Sequence, residues 1–149
     1  MVMMDDKALF VDTNILINAN IIETPFHEQA LFSINTAYQA DRTIWISRQI
    51  IREYLAVLTR PQTFENLPRT TVLEQARDFT ERFEVAVDTP AVTTHLLQLL
   101  ADFDIGGKQV HDANIVATMM ANDIHCLLTH NVKDFQRFEA LIKIEQIDS

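Results

Sequence analysis

Cysteine, glycine and positive charge are scarce in this chain of 149 residues, and each scarcity narrows what it can be. A single cysteine, Cys126, excludes an internal disulfide. The start, Met1-Val2-Met3-Met4-Asp5-Asp6, lacks the basic and then apolar layout of a secretory signal. No uncharged apolar run approaches the roughly 18 residues that suggest a membrane span. Together these lead us to expect a soluble protein of the reducing cytoplasm, with no membrane partner. Twelve Lys and Arg against 21 Asp and Glu give a formal charge of -9, which argues against non-specific nucleic-acid binding. That objection weakens if several acids converge on divalent cations, which put positive charge where a phosphate would lie. Aromatic residues show no spacing that suggests a base-stacking platform, and Phe26, Phe79 and Phe83 read as core. There is no repeat, low-complexity tract or linker, and 48% hydrophobic content suits one globular domain over residues 1–149.

What is present is an alternation of short apolar runs with helical periodicity. Ala8 to Val11 is short and uncharged, as an interior parallel strand would be, and it delivers Asp12 to its end, with Thr13 or Asn14 as the cap of a following helix. Thr24-Pro25 reads as an N-cap and first helical position, followed by Phe26, Ala30, Ile34, Ala37 and Tyr38 on one buried face. Thr43 to Ile46 is a second strand, and Ser47 is suited to cap a helix running to Thr59, with Ile50, Tyr54, Leu55 and Leu58 as its apolar stripe. A loop spans Pro61 to Pro68, and Val72, Ala76, Phe79 and Phe83 mark a third helical face. Glu84 to Asp88 is a short strand. Thr89-Pro90 repeats the cap-and-proline signature ahead of a helix through Phe103. Gly106-Gly107 make a mobile loop before a helix over Val110 to Asn122. Ile124 to Thr129, Asn131 to Phe138 and Leu141 to Ile147 follow as strand, short helix and strand. This order predicts an α/β fold with a mostly parallel sheet covered on both faces.

In such sheets ligands sit beyond the carboxyl ends of the strands, so acids placed there are candidates for chemistry. Asp12, Glu53, Asp112 and the pair Asn131 and Asp134 all fall just after a strand or on the next helix. Hard divalent ions take oxygen ligands, and Mg²⁺ uses one or two carboxylates with water and phosphate completing its shell. Zinc is not indicated, because neither His111 nor His125 has a cysteine at useful spacing. Each position also has a purely structural explanation. Asp112 lies in a first helical turn, Glu53 suits an exposed face, and Asn131 with Asp134 resembles a capping box. Convergence would change the balance, since two carboxylates about 4 Å apart repel by roughly 4 kcal/mol at an effective dielectric of 20. Beside these acids stand Arg48, Arg52, Lys108, His111, His130 and Lys133, which can hold a polyanion's backbone.

Val11-Asp12-Thr13-Asn14-Ile15-Leu16, Ser47 to Glu53, His111-Asp112-Ala113-Asn114-Ile115-Val116-Ala117 and Leu128-Thr129-His130-Asn131 to Asp134-Phe135 resemble, in that order, the four motifs of PIN domains, and VapC-type toxins above all. The resemblance covers nearly the whole chain. It implies a three-layer α/β/α sandwich and a Mg²⁺- or Mn²⁺-dependent endoribonuclease acting on single-stranded RNA. It further implies the toxin of a toxin–antitoxin pair, a homodimer held inactive by a small antitoxin. By position, Asp12 and Asp112 would be metal ligands, with Glu53 and Asp134 completing the catalytic acids. Thr13, Asn14, Ser47, Thr129 and Asn131 would bind or orient them, and Arg48, Lys108, His111 and His130 would contact RNA. Many members carry an acid where Asn131 stands. Two other functions are kept in view: a non-catalytic PIN-like domain that binds a partner or RNA, and a haloacid-dehalogenase-like phosphotransferase. The latter wants a second Asp where this chain has Asn14.

Overall fold

A computed structural model describes residues 6–61, 64 and 67–147. Residues 62, 63, 65 and 66 of the expected loop, and the N-terminal residues 1–5, lie outside the described residues. Five strands form one sheet: β1 (Ala8–Val11), β2 (Thr43–Ser47), β3 (Glu84–Ala86), β4 (Cys126–Leu128) and β5 (Lys143–Glu145). Their spatial order is β3-β2-β1-β4-β5, and every neighbouring pair is parallel. The central strand β1 has buried residues throughout Leu9 to Val11, the continuous apolar run that a strand covered on both faces requires.

Helices α1 (Thr13–Asn20), α2 (His27–Gln39), α3 (Arg48–Leu58) and α4 (Arg69–Arg82) pack in succession, α1 against α2 and α3, and α3 against α4. Separately, α5 (Pro90–Asp102) packs on α6 (Gln109–Ala121), and α6 on α7 (Val132–Phe135), which runs into a single 3-10 turn, Gln136–Phe138. The layers are those of an α/β/α sandwich. In α3 the residues Ile50, Tyr54 and Leu58 are buried one helical turn apart while Arg48 and Arg52 are exposed, so one stripe docks and the other faces water.

Several local expectations are corrected. The cap of α1 is Asp12 itself, whose carboxylate accepts from the Thr13 amide, so neither Thr13 nor Asn14 holds that place. Thr24 does not cap α2, which starts at His27: its hydroxyl donates to the Ile21 and Asn18 carbonyls, drawing Thr24 back onto the end of α1. Tyr38 is exposed, because the buried stripe of α2 is the narrower Ala30, Ile34 and Ala37. Thr89 occupies the cap position before Pro90 without a side-chain bond to the helix. Asn131 and Asp134 form no capping box: Asn131 makes no side-chain cap, and only the Asp134 amide meets the Asn131 carbonyl, at 3.0 Å. Gly107 takes a left-handed φ of 59° in the turn that starts α6, a conformation glycine adopts without strain.

Candidate active site

Parallel strands bring their carboxyl ends to one edge, and Asp12 after β1, Ser47 at the end of β2 and Thr129 after β4 lie there together. Asp12 is only 6% exposed. Its Oδ1 accepts from the Thr13 amide at 2.8 Å, and its Oδ2 from the Thr129 hydroxyl at 2.8 Å and the Asn14 amide at 3.1 Å. Burial pushes its pKa up and Glu53 adds to that, while the Thr129 and Thr13 donors pull the other way. The same donors tie the loops together. Thr129 Oγ1 accepts from the Asn131 amide at 3.0 Å, and Asn14 Oδ1 accepts from the His130 amide at 3.0 Å.

Glu53 is reached through Thr13, whose hydroxyl donates to Oε2 at 2.8 Å. Its other oxygen accepts from Gln49 Nε2 at 3.0 Å, one helical turn earlier on α3. Gln49 is almost fully buried and joins two helices: Nε2 also donates to the His111 carbonyl at 2.9 Å, and Oε1 accepts from Asn114 Nδ2 at 2.8 Å. The amide cannot be turned over without setting Oε1 against a carboxylate and a carbonyl. Its orientation is therefore fixed, and with it the position of Glu53 relative to the head of α6.

Asp112 stands in the first turn of α6, partly buried, and among the described residues no hydrogen-bond donor or ion-pair partner faces its carboxylate. Burial, and then the charges of Asp134, Asp12 and Glu53, push its pKa up to about 6, with His111 opposing them. Asp134, exposed on α7, is thus near enough to act on it. Ser47 caps α3, its hydroxyl accepting from the Ile50 amide at 3.4 Å, and so supports the helix that carries Glu53 without touching an acid. Asn131 is exposed and meets the site through its backbone. Arg48, Arg52, Lys108, His111, His130 and Lys133 are all exposed. None of the three ion pairs among the described residues involves them.

The donor set is carboxylate and amide oxygen, the chemistry of Mg²⁺ or Mn²⁺ more than of a soft metal. Among the described residues, no three His, Cys, Asp or Glu side chains are arranged as a ready cage for a metal ion. Asp12, Glu53 and Asp134 are instead near enough for their charges to act on Asp112, a looser grouping that suits an ion keeping most of its shell for water and phosphate. Asp12 and Asp112 are the candidates to hold it: Asp12 is buried with neutral donors only, and Asp112 is partly buried with no donor among the described residues. Gln49 and Asn114 are the residues joined to the candidate site that sequence reasoning missed. Their only signal was spacing: Gln49 stands four residues ahead of Glu53, on the same face of α3, and Asn114 two beyond Asp112.

The fold has relatives of known structure. VapBC2 from Rickettsia felis, solved bound to a DNA fragment from their promoter, aligns with a TM-score of 0.73 at 20% identity, over 95% of this chain and 99% of that one. VapBC-1 from nontypeable Haemophilus influenzae gives 0.69 at 18% identity, over 93% and 97%. VapC20 from Mycobacterium tuberculosis, described as a sarcin–ricin loop cleaving toxin, gives 0.66 at 14% identity, over 87% and 94%. No curated protein matches the sequence. The sequence profile of the PIN domain matches residues 8–133, a span that contains Asp12, Glu53 and Asp112. With most of its length matched, and with an all-parallel sheet presenting those acids at one edge, the chain belongs to the PIN domain family.

Proposed function

We propose that this protein is a Mg²⁺- or Mn²⁺-dependent endoribonuclease that cuts single-stranded RNA, acting as the toxin of a toxin–antitoxin pair. The observation that carries this is Asp112: a partly buried carboxylate with no donor among the described residues, raised to about 6 by its burial and by the charges of three other acids. Its fold-relatives include toxins solved with their antitoxins and one described as cleaving the sarcin–ricin loop. Asp12 and Asp112 would hold the ion, which when bound polarises the scissile phosphodiester and makes water a nucleophile near neutral pH.

The chain's own groups do the rest. Glu53, with one oxygen fixed by Thr13 and the other by Gln49, keeps a lone pair on each to orient the attacking water and take its proton. Asp134 on α7, whose charge bears on Asp112 as that of Glu53 does, assists in positioning the nucleophile. Thr129 and Asn14 hold Asp12 in one rotamer. Arg48, Lys108, His111 and His130, outside the three ion pairs of the described residues, contact the RNA, and Arg48 and Lys108 offset the charge of -9 locally. In-line attack leaves a 5′-phosphate and a 3′-hydroxyl, and uses no 2′-hydroxyl. The active unit is a homodimer, restrained in the cell by a small cognate antitoxin.

A single-stranded RNA incubated with Mg²⁺ or Mn²⁺ is expected to be cut by the wild type, spared when chelator is added, and spared by Asp12→Ala. Equal cutting in all three ends the proposal. A second function, partner or RNA binding without turnover, is favoured by one observation: Asn131 replaces an acid and is exposed, with only its backbone joined to the site. It predicts that the ion binds and that no RNA is cut. Of the phosphotransferase alternative nothing remains, because Asn14 serves as a donor to Asp12 within a PIN fold.

A further inference from the structure

Beside the acid pocket lies a polar groove of about 510 Å³, within the roughly 300–1,000 Å³ of small-ligand sites. We propose that this groove is a subsite that reads one unpaired nucleobase of the substrate strand, through the amide side chains of Asn131, Gln136 and Gln146 and the ring of His130. This subsite rests on the ribonuclease function proposed above and adds the position at which the strand is recognised.

Two chains of hydrogen bonds make the groove and the acid pocket share a wall. The Asn131 amide donates to Thr129, which donates to Asp12. The Thr129 amide donates to the Glu145 carbonyl at 3.0 Å, which sets Gln146, the next residue, beside His130. Asp134 lines the groove while its charge bears on Asp112. A nucleotide held here is therefore next to the bond that the acids address.

The lining fits a base better than an apolar ligand or a protein strand. A primary amide offers donors and an acceptor side by side, the pattern that matches the Watson–Crick edge of a base, and three of them meet in this groove. The imidazole of His130 is exposed yet fixed: its backbone amide is bonded to Asn14, and its ring packs on Phe26 with centroids 4.2 Å apart and planes tilted by 45°. A ring backed by another ring, with its outer face in solvent, is a stacking surface for a base. Phe26 is partly buried and packs against the core, as expected, while also backing the His130 ring. Lys133 at the edge supplies a cation for the adjoining phosphate. A base can enter only when splayed from a helix, which selects single strands.

The test reads binding apart from cleavage. The full chain carrying Asp12→Asn is titrated, with Mg²⁺, with each of the four ribonucleotide homo-hexamers under fluorescence polarisation. One hexamer is expected to bind about five- to tenfold tighter than the others, and adding Gln136→Ala with Gln146→Ala is expected to level the four. His130→Ala weakens all four by about tenfold, and His130→Phe restores most of that loss because stacking tolerates any base. Equal binding of the four hexamers before the amide changes, a preference that survives them, or no binding at all overturns the subsite; a melting scan checks that each variant is folded. A base preference seen in a wild type that cuts no RNA leaves the subsite standing and removes the nuclease function.

Discussion

Two groups of acids in this molecule have opposite electrostatics. In the first, Asp6 accepts from Lys143 Nζ at 3.0 Å and from the Cys126 thiol at 3.3 Å, and Glu145 takes a two-pronged bond from Arg42 at 2.8 and 2.7 Å. Arg42 also donates Nε to the Asp6 carbonyl, at 2.6 Å. The Lys143 bond holds the Asp6 pKa below its ordinary value. Burial pushes Glu145 upward, but the Arg42 bond and charge outweigh it and leave that acid lowered too. In the second group, Asp12, Glu53, Asp112 and Asp134 have neutral donors or none, and Asp12 and Asp112 are raised. Where the fold supplies its own cations the acids hold strands together; where it supplies few, they are left to be neutralised by protons or, on the function proposed above, by a metal ion.

The sharpest way to break this contrast is to remove one acid from each group. Asp12→Asn should lower RNA cleavage by on the order of 10²- to 10³-fold, as loss of a group that stabilises developing charge does. Asp6→Asn should leave the rate within about twofold, and a comparable loss from both variants would erase the distinction. Stability reverses the order. Arg42→Met strands Glu145, and breaking this mostly buried pair should cost about 2–3 kcal/mol, or roughly 5–10 °C in Tm, seen by scanning calorimetry. A drop below about 2 °C would mean that the pair is ornamental.

Gln49 sharpens the contrast from inside the pocket. If its amide works by aiming Glu53, Gln49→Leu should cost about tenfold in kcat/KM, yet cost almost nothing further once Glu53→Gln is present. Equal losses in both backgrounds would assign Gln49 to helix packing alone.

The smallest effect is on the pH dependence of the metal-free protein. Asp112 titrates near 6 when folded and near 4 when unfolded, so between these values the native state binds more protons. Stability therefore falls as pH rises through that window and levels off above it. After discount for partial exposure the loss due to Asp112 is about 1 kcal/mol, a few degrees of Tm, and Asp112→Asn should remove that part, leaving the contribution of Asp12, which is raised too. Asp6 and Glu145, being lowered, act in the other direction: their contribution is present above their unfolded values and disappears as pH falls through the folded ones. A Tm difference between the metal-free wild type and Asp112→Asn that stays constant from pH 4 to 7 would contradict the first limb.

Much of the site was legible because its acids follow local signals. Asp12 ends an uncharged strand, Glu53 rides a helix that begins at a Ser47 cap, and Asp112 opens the helix after the glycine pair. The all-parallel sheet then brings them to one edge, as alternating strands and helices imply. What could not be read was made by distance in the chain. The bond from Asn114 to Gln49 spans 65 residues, and Phe26 meets His130 only after α1 and β4 are in place. Caps failed for a related reason. Thr24 and Asn131 carry the right side chains, but Thr24 is taken up by the end of α1 and Asn131 turns outward at the site's edge. Asp12, by contrast, does two jobs: one oxygen caps α1 and the other meets Thr129.

Calorimetric titration of Mn²⁺ into the full chain at neutral pH addresses the account at its root. The wild type and Asp6→Asn should bind the ion alike, and Asp112→Asn should bind it at least tenfold more weakly. No binding by the wild type up to millimolar Mn²⁺, or an isotherm that Asp112→Asn leaves unchanged, would show that the unpaired acids are not a cation site.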